Sequence, residues 1–327
     1  MADSILVTGA AGFIGAHVAA RLRALGHSVV GCDNFNDYYA PRLKHARVTA
    51  LLTPLEVSCP QVELADAAAV RELFDRVRPT TVVHLAAQAG VRYSISHPEQ
   101  YIQANLVGFA NILEAVRHGQ VAHLVYASSS SVYGNRSDAP FRESQPTDAP
   151  VSLYAATKKS NEVMAHAYSQ LYGLRATGLR FFTVYGPWGR PDMAYFSFAE
   201  KIEAGEPLPV FADGKLQRDF TYIDDIVEGV VRLATASAVA PGASHELFNI
   251  GNHQPVTVLD FIAILARHMG RQPQMRFLPM QPGDVSMTCA DASRLQARVG
   301  FQPVTSLDDG LARFVAWFRQ WKAQSPA

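Results

Sequence analysis

A glycine-rich segment near the start of the chain places the strongest constraint on its fold. Gly9, Gly12 and Gly15 directly follow the apolar run Ser4–Thr8 and open a stretch with helical periodicity. This spacing predicts a strand, a tight turn and a helix, because glycine is needed where backbone approaches a ligand and where helix packs on strand. The N-terminus of such a helix offers free N–H groups to phosphate. The segment therefore predicts the pyrophosphate site of a dinucleotide.

The second predicted strand supplies an acidic residue at the spacing that such a site needs. It covers Ser28–Asp33, and Asp33 lies 18 residues after Gly15. The carboxylate of Asp33 is expected to accept hydrogen bonds from the adenosine ribose. Because its charge would repel a 2′-phosphate, the sequence predicts NAD rather than NADP.

Short apolar runs alternate with helical stretches throughout the first half of the chain. The predicted strands are Ser4–Thr8, Ser28–Asp33, Val62–Leu64, Thr81–Ala86, His123–Ser128 and Arg175–Phe182, and the predicted helices are Gly12–Leu25, Ala67–Val77, Tyr101–His118 and Tyr154–Tyr172. Apolar strands joined by helices indicate a parallel sheet covered on both faces. The predicted fold class is therefore α/β, a doubly wound parallel sheet of Rossmann type with its ligands at the carboxyl ends of the strands.

Proline and glycine become frequent after about residue 183, which indicates a second, smaller α/β lobe. We expect a cofactor domain over residues 1–182 with a return segment at 215–254, and a substrate-binding lobe built from residues 183–214 and 255–327. The later predicted elements are a helix at Tyr222–Leu233, a strand at Leu247–Ile250 that returns to the first lobe, and an amphipathic packing helix at Leu307–Trp321.

Composition and charge exclude several classes of protein. The 29 basic residues balance 29 acidic ones, so no nucleic-acid partner is expected. No apolar run reaches the roughly 18 residues that a membrane span needs, and the acidic, glycine-broken start argues against an export signal. Cys32, Cys59 and Cys289 are widely spaced, and neither they nor the 11 histidines show metal-ligand spacing. We expect a globular cytoplasmic protein with reduced thiols and no metal.

A tyrosine and a lysine carry the predicted chemistry. Tyr154 and Lys158 are four residues apart, so they project from one face of a helix. A lysine cation beside a phenol stabilises the phenolate and makes it a usable general base. Such a pair is common by chance, but Ser129 and Ser130 follow a strand at the edge where the nicotinamide should lie. A hydroxyl at that edge can bridge the reacting oxygen of a substrate and the phenol.

At these residues a family resemblance becomes specific. The segments TGAAGFIG, SSSSVYG and YAATK together resemble the extended short-chain dehydrogenase/reductase family, over nearly the whole chain. Within that family, the segments GCDNFNDYY, HLAAQAGVRYS, RFFTVYGPWGRPDMA, RDFTYIDD and MQPGDV resemble the UDP-glucuronate 4-epimerases. The resemblance implies an NAD-dependent inversion at C4 of a UDP-sugar through a transient 4-keto intermediate. It also implies a homodimer formed through the helices at 101–118 and 154–172.

The same resemblance implies roles for individual residues. Tyr154 is the general base, Lys158 its electrostatic partner and a ribose ligand, Ser129 and Ser130 form the hydroxyl site, and Asn105 is a structural asparagine on the cofactor side. The other expected cofactor residues are Phe13, Ile14, Asn34, Glu63, Leu64, Leu85, Ala86, Ala87 and Phe182, and the other expected substrate residues are Thr183, Arg190, Arg218, Asp284 and Arg92.

Physical reasons support part of this second set. Thr183 and Arg190 fit an anionic carboxylate, since a hydroxyl and a guanidinium can both donate to it. Arg218 can pair with the diphosphate and Asp284 with ribose or uracil, whereas the role of Arg92 stays open. The loop Asn34–Tyr39 is distinctive, and the sequence leaves open whether it contacts the cofactor or a partner subunit.

Four alternatives remain at this point. A UDP-glucose 4-epimerase shares the cofactor site but needs no carboxylate clamp, so Thr183 and Arg190 discriminate against it. Related 4,6-dehydratases carry an Asp-Glu pair where this chain has Ser130 and Ser131, and related UDP-glucuronate decarboxylases carry a glutamate in that loop. A non-enzymatic NAD-sensing scaffold is disfavoured because the tyrosine, lysine and serine set is intact.

Overall fold

The computed structural model describes residues 4–237, 245–280 and 285–324. Its strands are β1 Ser4–Thr8, β2 Ser28–Cys32, β3 Thr81–His84, β4 His123–Ser129, β5 Ala176–Phe181, β6 Thr183–Tyr185, β7 Leu208–Phe211, β8 Gln217–Tyr222, β9 His245–Ile250, β10 Pro255–Thr257 and β11 Met275–Leu278. Its α-helices are α1 Phe13–Ala24, α2 Pro41–Arg47, α3 Ala67–Val77, α4 Tyr93–Ser96, α5 Pro98–Tyr101, α6 Gly108–His118, α7 Leu153–Tyr172, α8 Ala194–Ala204, α9 Ile223–Thr235, α10 Val258–Met269, α11 Ser293–Val299 and α12 Leu307–Gln324. Shorter π-helical and 3₁₀ turns cover Val48–Leu52, Thr53–Leu55, Ile102–Val107, Ser130–Tyr133 and Ala212–Gly214.

A parallel sheet in the order β2-β1-β3-β4-β5-β9 forms the centre of the first lobe. Side chains alternate between its two faces, because successive residues of a strand point in opposite directions. Leu6 and Leu124 pack with residues of α3 and α6 on one face, and Val7 and Val125 pack with residues of α1 and α9 on the other. Both faces are therefore covered, and the predicted doubly wound α/β fold is confirmed.

The predicted strand at Val62–Leu64 is wrong. A single parallel bridge joins Asp33 to Gln61 at the edge of the sheet beyond β2. The chain then turns away, because the backbone N–H of Asp66 donates to the carbonyl of Glu63 at 3.1 Å and starts α3. The predicted helix Tyr101–His118 also differs, since its first part, Ile102–Val107, is π-helical.

Two small sheets and three helices lie outside the central sheet, in the part of the chain that follows β5. The strands pair in the orders β10-β8-β6 and β11-β7, and α8, α10 and α12 pack beside them. Phe196 of α8 lies 5.7 Å from Phe318 of α12 between ring centroids, so the predicted packing helix does pack. β8 falls within the predicted return segment 215–254 but pairs with β6 and β10. The return to the first sheet is made by α9 and by β9, which pairs with β5.

Candidate active site

The glycine turn between β1 and α1 is a backbone cradle with no room for side chains. Gly9 has φ +69°, and a Cβ there would lie 2.7 Å from the backbone nitrogen of Ala86. A Cβ on Gly12 would lie 2.9 Å from the carbonyl oxygen of Gly9, and one on Gly15 only 2.0 Å from it. Gly12 caps α1 without any side-chain hydrogen bond, so the first amides of the helix stay available to an anion. Phe13, which is buried, and Ile14, which is half-buried, form the first turn of α1.

Asp33 lies beside this cradle at the end of β2. Its Oδ2 accepts a hydrogen bond from the backbone N–H of Ala11 at 3.2 Å, and its Oδ1 accepts one from Phe35 at 2.8 Å. The predicted ribose carboxylate is thereby held against the glycine turn. A cradle that Cβ atoms would fill, together with an adjacent carboxylate, fits the pyrophosphate and ribose of NAD.

The other predicted cofactor residues differ in burial and in their contacts. Asn34 donates from Nδ2 to Glu63 at 2.9 Å, and Glu63 is exposed, whereas Leu64 is buried and its carbonyl accepts from Asn111. Leu85, Ala86 and Ala87 are half-buried where β3 ends, and Phe182 is buried in a cluster with Val132, Tyr133, Phe141 and Ala290.

Asn105 acts as a structural tie. It is buried, and its side chain both accepts from the N–H of Gln88 at 2.8 Å and donates to the Gln88 carbonyl at 3.0 Å. Its Nδ2 also donates to the hydroxyl of Thr157 on α7 at 3.0 Å. The residue thus joins the segment after β3 to α7, the helix that carries Tyr154 and Lys158.

Tyr154 and Lys158 occupy the first turns of α7. That helix begins where it does because the hydroxyl of Ser152 accepts from the N–H of Ala155 at 3.1 Å. Lys158 is buried and donates from Nζ to the carbonyl of Ala127 on β4 at 2.9 Å. Burial lowers the pKa of Lys158 to about 7. Near neutral pH the lysine therefore carries only part of its charge.

The phenol of Tyr154 is under opposing influences. Burial raises its pKa above the ordinary value, while a hydrogen bond with Ser129 and the positive charge of Arg190 lower it. Ser129 ends β4, and Ser130 opens the 3₁₀ turn that follows. The structure therefore brings the predicted base, hydroxyl and guanidinium together, but the charge acting on the phenol comes from Arg190.

Three of the predicted substrate residues, Arg190, Thr183 and Arg218, lie in the segment from the end of β5 to β8. Arg190 donates from Nε and Nη2 to the carboxylate of Asp192 at 3.0 and 2.5 Å. Thr183 is half-buried at the start of β6, directly after the end of β5. Arg218 lies on β8 and donates to the carbonyl of Gln217 at 2.9 Å.

Arg92 and Asp284 complete this set. The Arg92 guanidinium carbon lies 5.4 Å from the ring centre of Phe211 on β7, so this arginine reaches from the first lobe to the second. Asp284 lies outside the residues that the structure describes, and its role stays a prediction.

A buried ion pair supports the site from below. Arg180 on β5 and Glu162 on α7 form two hydrogen bonds of 2.8 Å, and Ser128 donates to the same carboxylate at 2.6 Å. Both charged side chains are at most 3% exposed. The bidentate contact joins α7, which carries Tyr154 and Lys158, to β5, and the hydrogen bond from Ser128 joins it to β4.

Three residues at the site were not predicted individually, although one of them, Tyr38, belongs to the loop Asn34–Tyr39 that the sequence marks as distinctive. They are Asp192, Tyr38 and Arg47, and they surround the segment that carries Arg190. The Arg-x-Asp spacing of Arg190 and Asp192 was a signal that could have been read. The sequence around Arg47 carries no comparable signal. Its partners are the backbone carbonyls of Ala11, Trp188 and Gly189, which are distant in the chain.

The described ranges contain neither a membrane-spanning helix nor a cluster of metal-ligating side chains. None of the helices there combines the length and apolar character that a membrane crossing requires. Within the same ranges, no three His, Cys, Asp or Glu side chains are grouped so that they could hold a metal ion. Burial lowers the pKa of His84 to about 3, so this histidine is a neutral core residue hydrogen-bonded to Thr8.

Comparison with known proteins assigns the family. The model of the NAD dependent epimerase/dehydratase family matches residues 5–251. The chain belongs to this family. The predicted resemblance to the extended short-chain dehydrogenases/reductases is confirmed.

Within the NAD dependent epimerase/dehydratase family, the chain is similar to several named proteins. It is 48% identical to UDP-glucuronate 4-epimerase 1 of Arabidopsis thaliana over 330 residues, which cover 96% of this chain and 76% of the relative. It is 45% identical to a probable UDP-glucuronate 4-epimerase of Rhizobium meliloti, with 96% of each chain covered. The UDP-glucuronic acid 4-epimerase of Bacillus cereus, solved with UDP-glucuronic acid and NAD, superposes with a TM-score of 0.90 at 33% identity, covering 97% of this chain and 99% of that one.

Proposed function

We propose that this protein is an isomerase that inverts C4 of UDP-glucuronate to give UDP-galacturonate, with NAD held tightly through each turnover. The observation that carries the proposal is the convergence of Ser129 and Arg190 on Tyr154, with the segment of Arg190 joined to the glycine turn through Arg47. The similarity to proteins named UDP-glucuronate 4-epimerases supports the same substrate.

Tyr154 is the proton carrier in this proposal. As phenolate it takes the proton of the C4 hydroxyl, and it returns a proton to the same oxygen when C4 is reduced again. Ser129 hydrogen-bonds the phenol and fixes the path of the proton. Bound NAD supplies a hydride acceptor and later a hydride donor, so no net oxidation occurs. The 4-keto sugar must rotate within the site so that its other face is presented to the hydride donor. The site therefore holds it only through its carboxylate and its nucleotide.

The residues that would hold NAD are those of the cradle and of the adjoining edge. Gly9, Gly12 and the first amides of α1 would bind the pyrophosphate, Asp33 would accept from the adenosine ribose, and Lys158 would donate to the nicotinamide ribose. The set from the sequence analysis, Phe13, Ile14, Gly15, Asn34, Glu63, Leu64, Leu85, Ala86, Ala87, Asn105 and Phe182, completes this part of the proposal.

Recognition of the carboxylate separates this function from UDP-glucose 4-epimerisation. A 4-keto uronate is a β-keto acid that loses CO2 readily, so its carboxylate must be held in an orientation unfavourable for C–C cleavage. The hydroxyls of Ser129, Ser130 and Thr183 and the guanidinium of Arg190 are the donors for this. Arg92, Arg218 and Asp284 are proposed to hold the remaining part of the UDP-sugar.

We also propose a cytoplasmic homodimer and a substrate lobe built from residues 183–214 and 255–327, to whose sheet β8 adds a strand. The outer faces of α7 and of the segment before α6 support the dimer, because Val163 is 55% exposed, Leu171 71% and Ile102 38%. The three cysteines, all free thiols, support a reducing compartment. Sedimentation of the purified protein tests the dimer.

The function is tested by product analysis. Purified protein is incubated with UDP-glucuronate, UDP-glucose or UDP-xylose without added NAD, and the sugar nucleotides are separated. UDP-galacturonate is expected, formed faster than UDP-galactose. A UDP-pentose as the main product from UDP-glucuronate would indicate a decarboxylase, and preferred turnover of UDP-glucose would indicate the alternative epimerase.

A matched pair of tyrosine variants tests the base. Tyr154→Phe should keep its bound NAD and lose at least about 99% of turnover, since general base catalysis contributes about 10²–10⁴-fold. Tyr172→Phe, at the other end of the same helix, should turn over like the wild type. Retained activity in Tyr154→Phe would remove this residue from the proton-transfer role.

A further inference from the structure

The loop Asn34–Tyr39, whose contacts the sequence left open, packs on the segment that carries Arg190. The hydroxyl of Tyr38 donates to Oδ2 of Asp192 at 3.0 Å. Arg190 donates to both oxygens of the same carboxylate, and its guanidinium carbon lies 5.9 Å from the centre of the Tyr38 ring. Asp192 thus receives three hydrogen bonds from two directions.

The charges in this cluster favour a fixed arrangement. Burial works against the ionised form of Asp192, but Arg190 and the Tyr38 hydroxyl outweigh it and hold the pKa of that carboxyl below its ordinary value. The side chains of Arg190 and Asp192 are 22% and 28% exposed, so water screens the pair only in part. A bidentate Arg–carboxylate pair also fixes the plane of the guanidinium.

Arg47 links the backbone that precedes Arg190 to the glycine turn. Arg47 is fully buried and donates from Nε to the carbonyl of Trp188 at 2.7 Å and from Nη2 to that of Gly189 at 2.9 Å. Its Nη1 donates to the carbonyl of Ala11 in the glycine turn at 3.1 Å and to the hydroxyl of Tyr39 at 2.6 Å. These hydrogen bonds fix the position of the Arg190 backbone relative to the glycine turn. The orientation of the Arg190 side chain is then set by Asp192.

We propose that Asp192, held by Tyr38, is a positioning residue that orients Arg190 toward the substrate carboxylate and so determines specificity for UDP-glucuronate over UDP-glucose. This inference rests on the proposed function. Nε and Nη2 of Arg190 are committed to Asp192, so Nη1 is the nitrogen turned to the substrate. Because Arg190 acts on the pKa of Tyr154, its guanidinium lies within electrostatic reach of the reacting centre. UDP-glucose carries no carboxylate, so its binding does not use this orientation.

Binding measurements on holoenzyme test the proposal. In a Tyr154→Phe background, which blocks turnover, the Kd values of UDP-glucuronate and UDP-glucose are measured by calorimetry. In Asp192→Asn the amide nitrogen faces an arginine nitrogen and cannot accept from it. Loss of this charge-assisted bond should weaken UDP-glucuronate binding about tenfold and UDP-glucose binding less than about twofold. Tyr38→Phe, which removes only the hydroxyl, should raise the ratio of the UDP-glucuronate Kd to the UDP-glucose Kd about threefold.

A surface pair of the same design provides the control. Arg136 and Asp138 have the same Arg-x-Asp spacing and the same two hydrogen bonds, with Asp138 55% exposed. Asp138→Asn should leave both Kd values unchanged. Thermal melting and bound NAD show whether Asp192→Asn has folded, and if it has not, the Tyr38→Phe ratio decides.

An unchanged ratio of the two Kd values in the folded variants, or tighter UDP-glucuronate binding in Asp192→Asn, would overturn the proposal. An equal loss for both substrates would do so as well, since it would indicate a structural role. Failure of the proposed function is distinguished separately, because it would appear as absence of UDP-galacturonate from the wild-type enzyme.

Discussion

Replacement of Lys158 by methionine should abolish activity and, at the same time, stabilise the protein freed of NAD. The lysine is buried, and burial lowers its pKa from 10.5 to about 7. A lowered lysine pKa means that the folded chain disfavours the charged form. Methionine keeps an apolar stem of similar length and removes that charge.

The magnitude follows from the two pKa values. A difference of 10.5 against about 7 corresponds to about 5 kcal/mol of destabilisation wherever both states are protonated, at about 1.4 kcal/mol for each tenfold change in proton affinity. The variant loses the hydrogen bond to the carbonyl of Ala127, which costs about 1–3 kcal/mol because that acceptor is left unsatisfied. A net gain of about 2–4 kcal/mol is therefore expected at about pH 6.5.

The stability difference between Lys158→Met and the wild type depends on pH. The penalty on the wild type is complete below pH 7, falls as pH rises from 7 toward 10.5, and is absent above that, because the unfolded chain binds the extra proton in this window. The advantage of Lys158→Met should therefore shrink by about 2 kcal/mol between about pH 6.5 and pH 8.5. Turnover of UDP-glucuronate should fall at least about a hundredfold at either pH.

Urea unfolding followed by circular dichroism, after removal of NAD, measures this effect. Lys159→Met is the matched control, since the neighbouring lysine is partly exposed and paired with Asp148 at 3.2 Å. That variant should show neither stabilisation nor a pH-dependent gap. If Lys158→Met is no more stable than the wild type at about pH 6.5, or if its advantage is the same at both pH values, the buried-charge reasoning is wrong.

Two further substitutions test the support of the site. Glu162→Gln leaves the buried guanidinium of Arg180 uncompensated and should cost about 3–5 kcal/mol, whereas Glu228→Gln, at an exposed pair, should cost less than about 1 kcal/mol. Similar urea midpoints for these two variants would contradict the role of the buried pair. Gly15→Ala places a Cβ 2.0 Å from the carbonyl of the glycine turn and should release NAD on desalting, while Gly229→Ala, with neighbours at 3.7 Å, should retain it. Absorbance of the desalted protein checks this, and retained NAD in Gly15→Ala would show that the turn can move.

Local patterns were sufficient to predict much of the cofactor half. The strand, glycine turn and helix of 4–24 and the pair Tyr154 and Lys158 depend on neighbours within a few residues, and periodicity reports such neighbours directly. The strand at Val62–Leu64 failed because an apolar run at a sheet edge cannot reveal whether a partner strand continues beside it. One bridge at Gln61 is all that forms there.

The sequence by itself determined the fold class, the strand, glycine turn and helix at the start of the chain, and the placement of Tyr154 and Lys158 on one helix. Only the tertiary structure decided that Tyr38 contacts Asp192, since these two residues are 154 positions apart and meet through the packing of two loops. The same holds for Arg47, whose partners are backbone carbonyls without any side-chain signature. Spacing encodes what lies on one turn or one strand, whereas contacts between distant segments depend on the path of the whole chain.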